Sequence, residues 1–195
     1  MQSKTIPELG QNDLQEFNVE IAEKYFSIIY TEIKKVAPHK LYLGCRWDAH
    51  LYPLEDEKFN WVMHVAANFC DVLSVNRYAY TAADLVPTNE INKPFIIGEF
   101  HFSSLDEGAL HYSLKSGENR QNVGELYKYY LRSAIKNPYV IGAHWFQYVD
   151  QPTIGRNDGE NYHIGFVDIC DTPDSIMIET IRSISNEIYS LRNDN

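Results

Sequence analysis

Lys93-Pro94-Phe95-Ile96-Ile97-Gly98-Glu99-Phe100-His101-Phe102 opens on a proline, runs through apolar residues and ends on a carboxylate and an imidazole. The run is too short for a helix. It also lacks the alternation of polar and apolar positions that marks a sheet with one wet face, so it reads as a parallel strand covered on both sides. Burying a carboxylate at the end of such a strand costs free energy unless the group has a purpose or a partner. Glu99 is therefore the first candidate functional residue, with a structural ion pair to Arg46 or Arg77 as the competing role.

Three more segments have the same form. Leu41 to Trp47, Asp71 to Tyr78 and Tyr139 to Tyr148 are short apolar runs whose C-terminal ends turn polar and aromatic: Arg46-Trp47-Asp48, Asn76-Arg77-Tyr78 and His144-Trp145-Phe146-Gln147. Helical periodicity separates them. Phe17, Ile21, Tyr25, Ile28, Ile29, Ile33 and Val36 predict one long helix with an apolar stripe, ending at Pro38. Phe59, Val62, Met63, Ala66 and Phe69 predict a second helix, Val123 to Ile135 a third, and Met177, Ile181, Ile184, Ile188 and Leu191 a fourth. Glu55, Asp56 and Glu57 read as a charged helix N-terminus, favoured by the macrodipole. The order is α-β-α-β-loop-β-α-β-α. It predicts an α/β fold of about four parallel strands whose polar C-terminal ends share one face.

Composition narrows the function. The chain has 195 residues and a formal net charge of −10, which fits one domain spanning 1–195 and argues against nucleic acid, whose binding needs clustered Lys and Arg. No stretch reaches the roughly 18 apolar residues of a membrane span, and Met1-Gln2-Ser3-Lys4 lacks the apolar core of a secretory leader. Cys45, Cys70 and Cys170 have neither disulfide-framework nor zinc spacing and read as free thiols. Aromatic residues make up 13% of the chain, enough for both a packed core and stacking surfaces.

A face built from strand ends is the catalytic face of a (β/α)8 barrel, but such a barrel usually takes about 250 residues and eight strands. The alternatives are a small doubly wound sheet and half of a barrel. The motifs favour the half-barrel. Lys93 to Phe102 resembles the seventh strand of clan A retaining glycoside hydrolases, whose nucleophile is a Glu at the strand's C-terminal end. Ala143-His144-Trp145-Phe146-Gln147-Tyr148 resembles the eighth strand with its sugar-facing Trp. Asp158-Gly159-Glu160-Asn161-Tyr162-His163-Ile164-Gly165-Phe166-Val167-Asp168 resembles the loop that follows it in family 50 β-agarases. Leu41 to Trp47 and Asp71 to Tyr78 resemble strands five and six, so the likeness runs roughly from Phe17 to Leu191.

The resemblance implies a partial (β/α)8 barrel, strands five to eight, that hydrolyses β-1,4-galactosidic bonds of agarose with retention and uses no cofactor and no metal. Glu99 takes the nucleophile position. Tyr78 would hydrogen-bond it, His101 and His144 would donate to sugar hydroxyls, and Trp145 would stack on a galactose ring. Gln147, Asp150, Gln151, Arg156, Asn157, Glu160 and Asn161 match the sugar-binding rim, and Arg46 and Asn76 match polar strand-end positions. Two histidines beside Glu99 also admit a metal site. The clan's acid/base, a Glu following Asn at the end of strand four, has no counterpart in place: the Asn-Glu pairs here are Asn89-Glu90 and Asn186-Glu187. Retaining hydrolysis needs that second carboxylate. The expected partners are therefore a galactan oligosaccharide and a second half-barrel, from another copy or a complementing chain. A catalytically inactive sugar-binding fragment and a β-galactosidase-like specificity are the other readings. The family is commonly exported, so the compartment stays open.

Overall fold

The computed structural model describes residues 8–48, 57–88, 91–106 and 108–193. The elements follow in the order α1 (Glu8–Val36), β1 (Arg46–Asp48), α2 (Glu57–Ala67), β2 (Leu73–Asn76), β3 (Phe95–Phe100), α3 (Arg120–Lys136), β4 (Val140–Trp145) and α4 (Ser175–Asn193). The strands form one parallel sheet in sequential order β1-β2-β3-β4. This is the α/β arrangement of four parallel strands expected from the pattern of apolar runs, and it agrees with the partial barrel that the resemblance implies. No helix among the described residues is long and apolar enough to cross a membrane.

The strands are shorter than the apolar runs that announce them. Leu41 to Cys45 stays outside the ladder, because Gly44 adopts a left-handed φ of 64° that breaks the extended path. A β-carbon there would also lie 2.5 Å from the Cys70 sulfur. Asp71 ties this segment down instead: its backbone N–H donates to the Tyr42 carbonyl at 2.8 Å, and its carboxylate accepts the Tyr42 N–H at 2.8 Å.

The single apolar stripe expected on α1 divides in two. Val19, Ala22, Phe26, Ile29 and Ile33 pack into the core, while Leu14, Phe17, Ile21, Tyr25 and Ile28 are about half exposed. The spacings 3-4-3-4 and 3-4-4-3 each define one face of a helix, and the first is covered by α2 and by the Trp47 and Phe69 rings against Phe26.

Leu73, Val75, Phe95, Ile97, Met63, Val123 and Met177 fill the space between sheet and helices. Much of the aromatic content lies here. Phe100 stacks on Tyr130 with ring centroids 4.1 Å apart, and Phe102, Tyr127, Trp145 and Phe166 extend the cluster. Asn119 caps α3 by accepting the Asn122 N–H at 2.8 Å, and Asn137 ends it. The Asn137 amide then reaches across to the carbonyls of Ala82 and Leu85, which fastens the long β2–β3 connection to the end of α3. Of the three thiols, Cys70 is buried, and burial pushes it up to about 12; Cys45 is half-buried and Cys170 exposed.

Candidate active site

Glu99 sits near the C-terminal end of β3, 9% exposed, and is held at both oxygens. Arg46 of β1 forms an ion pair with Oε1. Asn76, at the end of β2, donates from Nδ2 to Oε2 at 2.8 Å, and the Tyr78 hydroxyl donates to the same oxygen at 2.5 Å. Asn76 and Glu99 are opposite each other in the ladder, while Arg46 starts β1 opposite Ser74 and reaches the carboxylate with its long side chain. Burial, then the hydrogen bond and charge of Glu99, push the Tyr78 phenol well above its ordinary range, so it remains a proton donor.

His101 lies behind this cluster, 2% exposed, with its ring 4.7 Å from that of Tyr78. Nδ1 is 3.2 Å from the Phe146 carbonyl oxygen, which can only accept, so Nδ1 carries the proton. Burial lowers the imidazole to about 4, against the smaller opposing effect of that hydrogen bond. The neutral ring then presents Nε2 as an acceptor, and the atom is buried with no hydrogen-bond partner among the described residues. A role as donor to a sugar hydroxyl does not follow from this tautomer.

The rim expected from the sequence assembles next to it. Gln151 donates to Glu160 at 2.7 Å and accepts the Tyr162 N–H at 2.7 Å. Arg156 pairs with Asp158 at 2.6 Å and Glu160 at 3.1 Å, and its guanidinium lies 6.0 Å above the Phe146 ring. Asn161 bonds His111 at 2.7 Å, and Gln147 donates to the Val149 carbonyl at 2.8 Å. Asn157 is exposed. Asp150 accepts from the Gly165 N–H at 2.6 Å and pairs with His163 at 2.5 Å. The rim meets the carboxylate cluster where the Tyr162 and His101 rings approach to 5.8 Å.

Gln151 and Asn161 are buried struts of this loop, while Arg156 and Asn157 reach its surface. Trp145 stacks on Phe166 at 5.7 Å and donates its indole N–H to the Ile164 carbonyl at 2.6 Å, so one ring face is already covered. His144 is exposed on β4 and is not part of the Glu99 cluster. Among the described residues no three His, Cys, Asp or Glu side chains are grouped as a metal site. Asn89-Glu90 and Glu55-Asp56 lie outside the described residues, while Glu57 begins α2 and Glu187, on α4, pairs with Arg132 at 2.9 Å.

Arg120 carries no functional signal in the sequence. It is 1% exposed at the start of α3 and binds the Asp174 carboxylate through Nε. Its Nη atoms donate to the carbonyls of Gly165 at 2.7 Å and His163 at 3.4 Å. This one side chain fastens the far end of the rim to the helix layer. Its signal, an arginine beside the N-cap Asn119, is indistinguishable in sequence from a solvated one.

Two curated relatives cover nearly the whole chain. Beta-agarase B of Vibrio sp. (strain JT0107) is 40% identical over 191 residues, which is 93% of this chain and 19% of the relative. The chain is similar to one segment of a β-agarase. Beta-agarase A of the same strain is 36% identical over 185 residues, covering 91% of the chain and 18% of the relative. The solved structure of an exo-beta-agarase superposes with a TM-score of 0.83 at 35% identity, covering 98% of this chain and 25% of that one. The chain thus spans about a fifth of the length of the β-agarases it matches among curated proteins. No protein-family model matches it.

Proposed function

We propose that this chain is the C-terminal half-barrel of a family 50 β-agarase-type glycoside hydrolase, forming a single domain, with Glu99 as the nucleophile of a retaining cleavage of β-1,4-galactosidic bonds. The observation that carries the reading is the double clamp on Glu99, a buried carboxylate at a strand end with each oxygen assigned to a different partner. Oε2 accepts from two donors and Oε1 from Arg46 alone, so Oε1, the less engaged oxygen, is the one assigned to the anomeric carbon. Tyr78 and Asn76 stabilise the carboxylate and orient it. The carboxyl–sugar bond forms as the glycosidic C–O bond breaks, and the leaving oxygen must receive a proton from a second carboxylate about 5 Å from the first. The described side chains bonded to Glu99 are Arg46, Asn76 and Tyr78, none of them an acid.

In this reading a second half-barrel supplies the acid. Among the described residues β1 pairs only with β2 and β4 only with β3, and the exposed stripe of α1 lies on the same molecule. Open strand edges and an uncovered apolar face are liabilities that closure by another copy or a complementing chain removes. A well-folded monomer at micromolar concentration by light scattering overturns this part of the reading.

An aryl galactoside with a leaving group that needs no proton isolates the nucleophile from the acid. Incubating the full chain with dinitrophenyl β-galactoside should give a stoichiometric burst of phenolate, with the galactosyl group on Glu99 by mass spectrometry. Glu99→Gln should give no burst. Equal release from wild type and variant overturns the assignment. Affinity for neoagaro-oligosaccharides without any burst would make the chain a sugar-binding fragment.

A further inference from the structure

Gly98 has no backbone reason to be glycine. Its φ lies outside the left-handed region, so any residue can adopt its conformation. Its reason is space. A β-carbon at Gly98 would stand 2.2 Å from Cδ and 2.8 Å from Cγ of Arg46, and 3.0 Å from Oγ of Ser74. The arm of Arg46 thus lies directly over this position.

The strand register explains why it lies there. Arg46 is opposite Ser74 on β2, and Ser74 is opposite Ile96 on β3, so the guanidinium must cross β2 to reach a carboxylate on β3. Strands are about 4.8 Å apart, so the arm spans two such spacings across the sheet. Between Val75↔Ile97 and Asn76↔Glu99 the ladder skips Gly98, which is the extra residue of a bulge. The bulge places Glu99 opposite Asn76, and the bare α-carbon beside it leaves the trough in which the arm rests.

We infer that Arg46 and Gly98 form one positioning device, in which the missing side chain at 98 is the passage that lets the Arg46 guanidinium clamp Oε1 of Glu99. Arg46 fixes the plane of the carboxylate at Oε1, with Asn76 and Tyr78 holding the other oxygen. The charged and titratable groups facing Glu99 are Arg46 from β1 and Tyr78 after β2, with neutral His101 behind Tyr78 and Glu160 of the rim beyond. The inference rests on Glu99 being the reactive carboxylate. Its test is read on the carboxyl group itself, so it fails separately from the burst experiment.

The experiment is the carbon-13 chemical shift of the Glu99 carboxyl carbon in the full chain at pH 7. Arg46→Met, which keeps the arm and removes the guanidinium, should move the resonance. Gly98→Ala should move it in the same direction by a similar amount although Arg46 is still present, and Arg46→Lys should restore part of the change. The double variant Gly98→Ala/Arg46→Met should move no further than either single change, as expected for residues acting through one contact. An unmoved resonance in Gly98→Ala overturns the inference. Should Gly98→Ala unfold the chain, thermal melts decide: in an Arg46→Ala background, where the arm is gone, the alanine should cost little. An equal loss of melting temperature in both backgrounds overturns it as well.

Discussion

The strand-end cluster around Glu99 and the rim between Val149 and Asp174 meet at the Tyr162–His101 contact but are built differently. Arg46, Asn76 and Glu99 are delivered by three adjacent parallel strands, so the sheet that positions them exists for other reasons. The rim has almost no ladder of its own beyond isolated bridges, and it depends on side chains: Asp150 on His163 and Gly165, and buried Arg120 on Asp174 and two carbonyls. Such a design separates roles. Removing a cluster residue should change chemistry and spare the fold, whereas removing a rim anchor should do the reverse.

The largest effect falls on the anchor. Arg120→Met leaves Oδ2 of Asp174 and two loop carbonyls without the arginine donor in a dry setting, and urea unfolding should show a loss of about 3–5 kcal/mol. A loss below about 1 kcal/mol would mean that the rim holds itself and would erase the contrast.

His101 sharpens the comparison, because it belongs to both regions. Its folded pKa of about 4 lies below the ordinary 6.5, so between those values the unfolded chain binds a proton that the folded chain refuses. Its contribution to stability is complete above 6.5 and declines as the pH falls towards 4. At about 1.36 kcal/mol per unit the decline totals roughly 3 kcal/mol. Denaturation midpoints at pH 7 and 4.5 should therefore differ more in wild type than in His101→Gln. Equal slopes would show that the ring takes up its proton without unfolding.

The smallest effect is at the centre of the chemistry. Glu99→Gln removes one charge from a pair whose arginine is half exposed, and stability should change by less than about 1 kcal/mol in the same urea experiment. A loss comparable to that of Arg120→Met would make Glu99 a structural carboxylate and break the division of roles.

Legibility follows the same line. Glu99, Asn76, Tyr78 and Arg46 are all legible where an apolar run turns polar, a local signal, although Arg46 begins β1 in the structure and reaches Glu99 through its arm. The rim was readable as a polar loop, but not which of its members point inwards: Gln151 and Asn161 are buried struts, and only the path of the loop decides that. Arg120 gave no signal, since its partners lie 43 to 54 positions away along the chain. Trp145 carried a sugar-facing expectation, whereas its ring packs on Phe166, a contact made by a segment 21 residues further on. On α1, periodicity predicted an apolar face but merged two faces into one, because a stripe records what is apolar and not what covers it.

The residue order by itself therefore determined the four strands, the intervening helices and the carboxylate at the end of β3, since period, strand length and end chemistry are properties of short segments. Only the tertiary structure decided that the Arg46 arm crosses Gly98, that His101 is neutral, and that Arg120 carries the rim. Those facts depend on strand register, on helix rotation and on burial, and each is fixed by contacts between residues that the local pattern leaves independent.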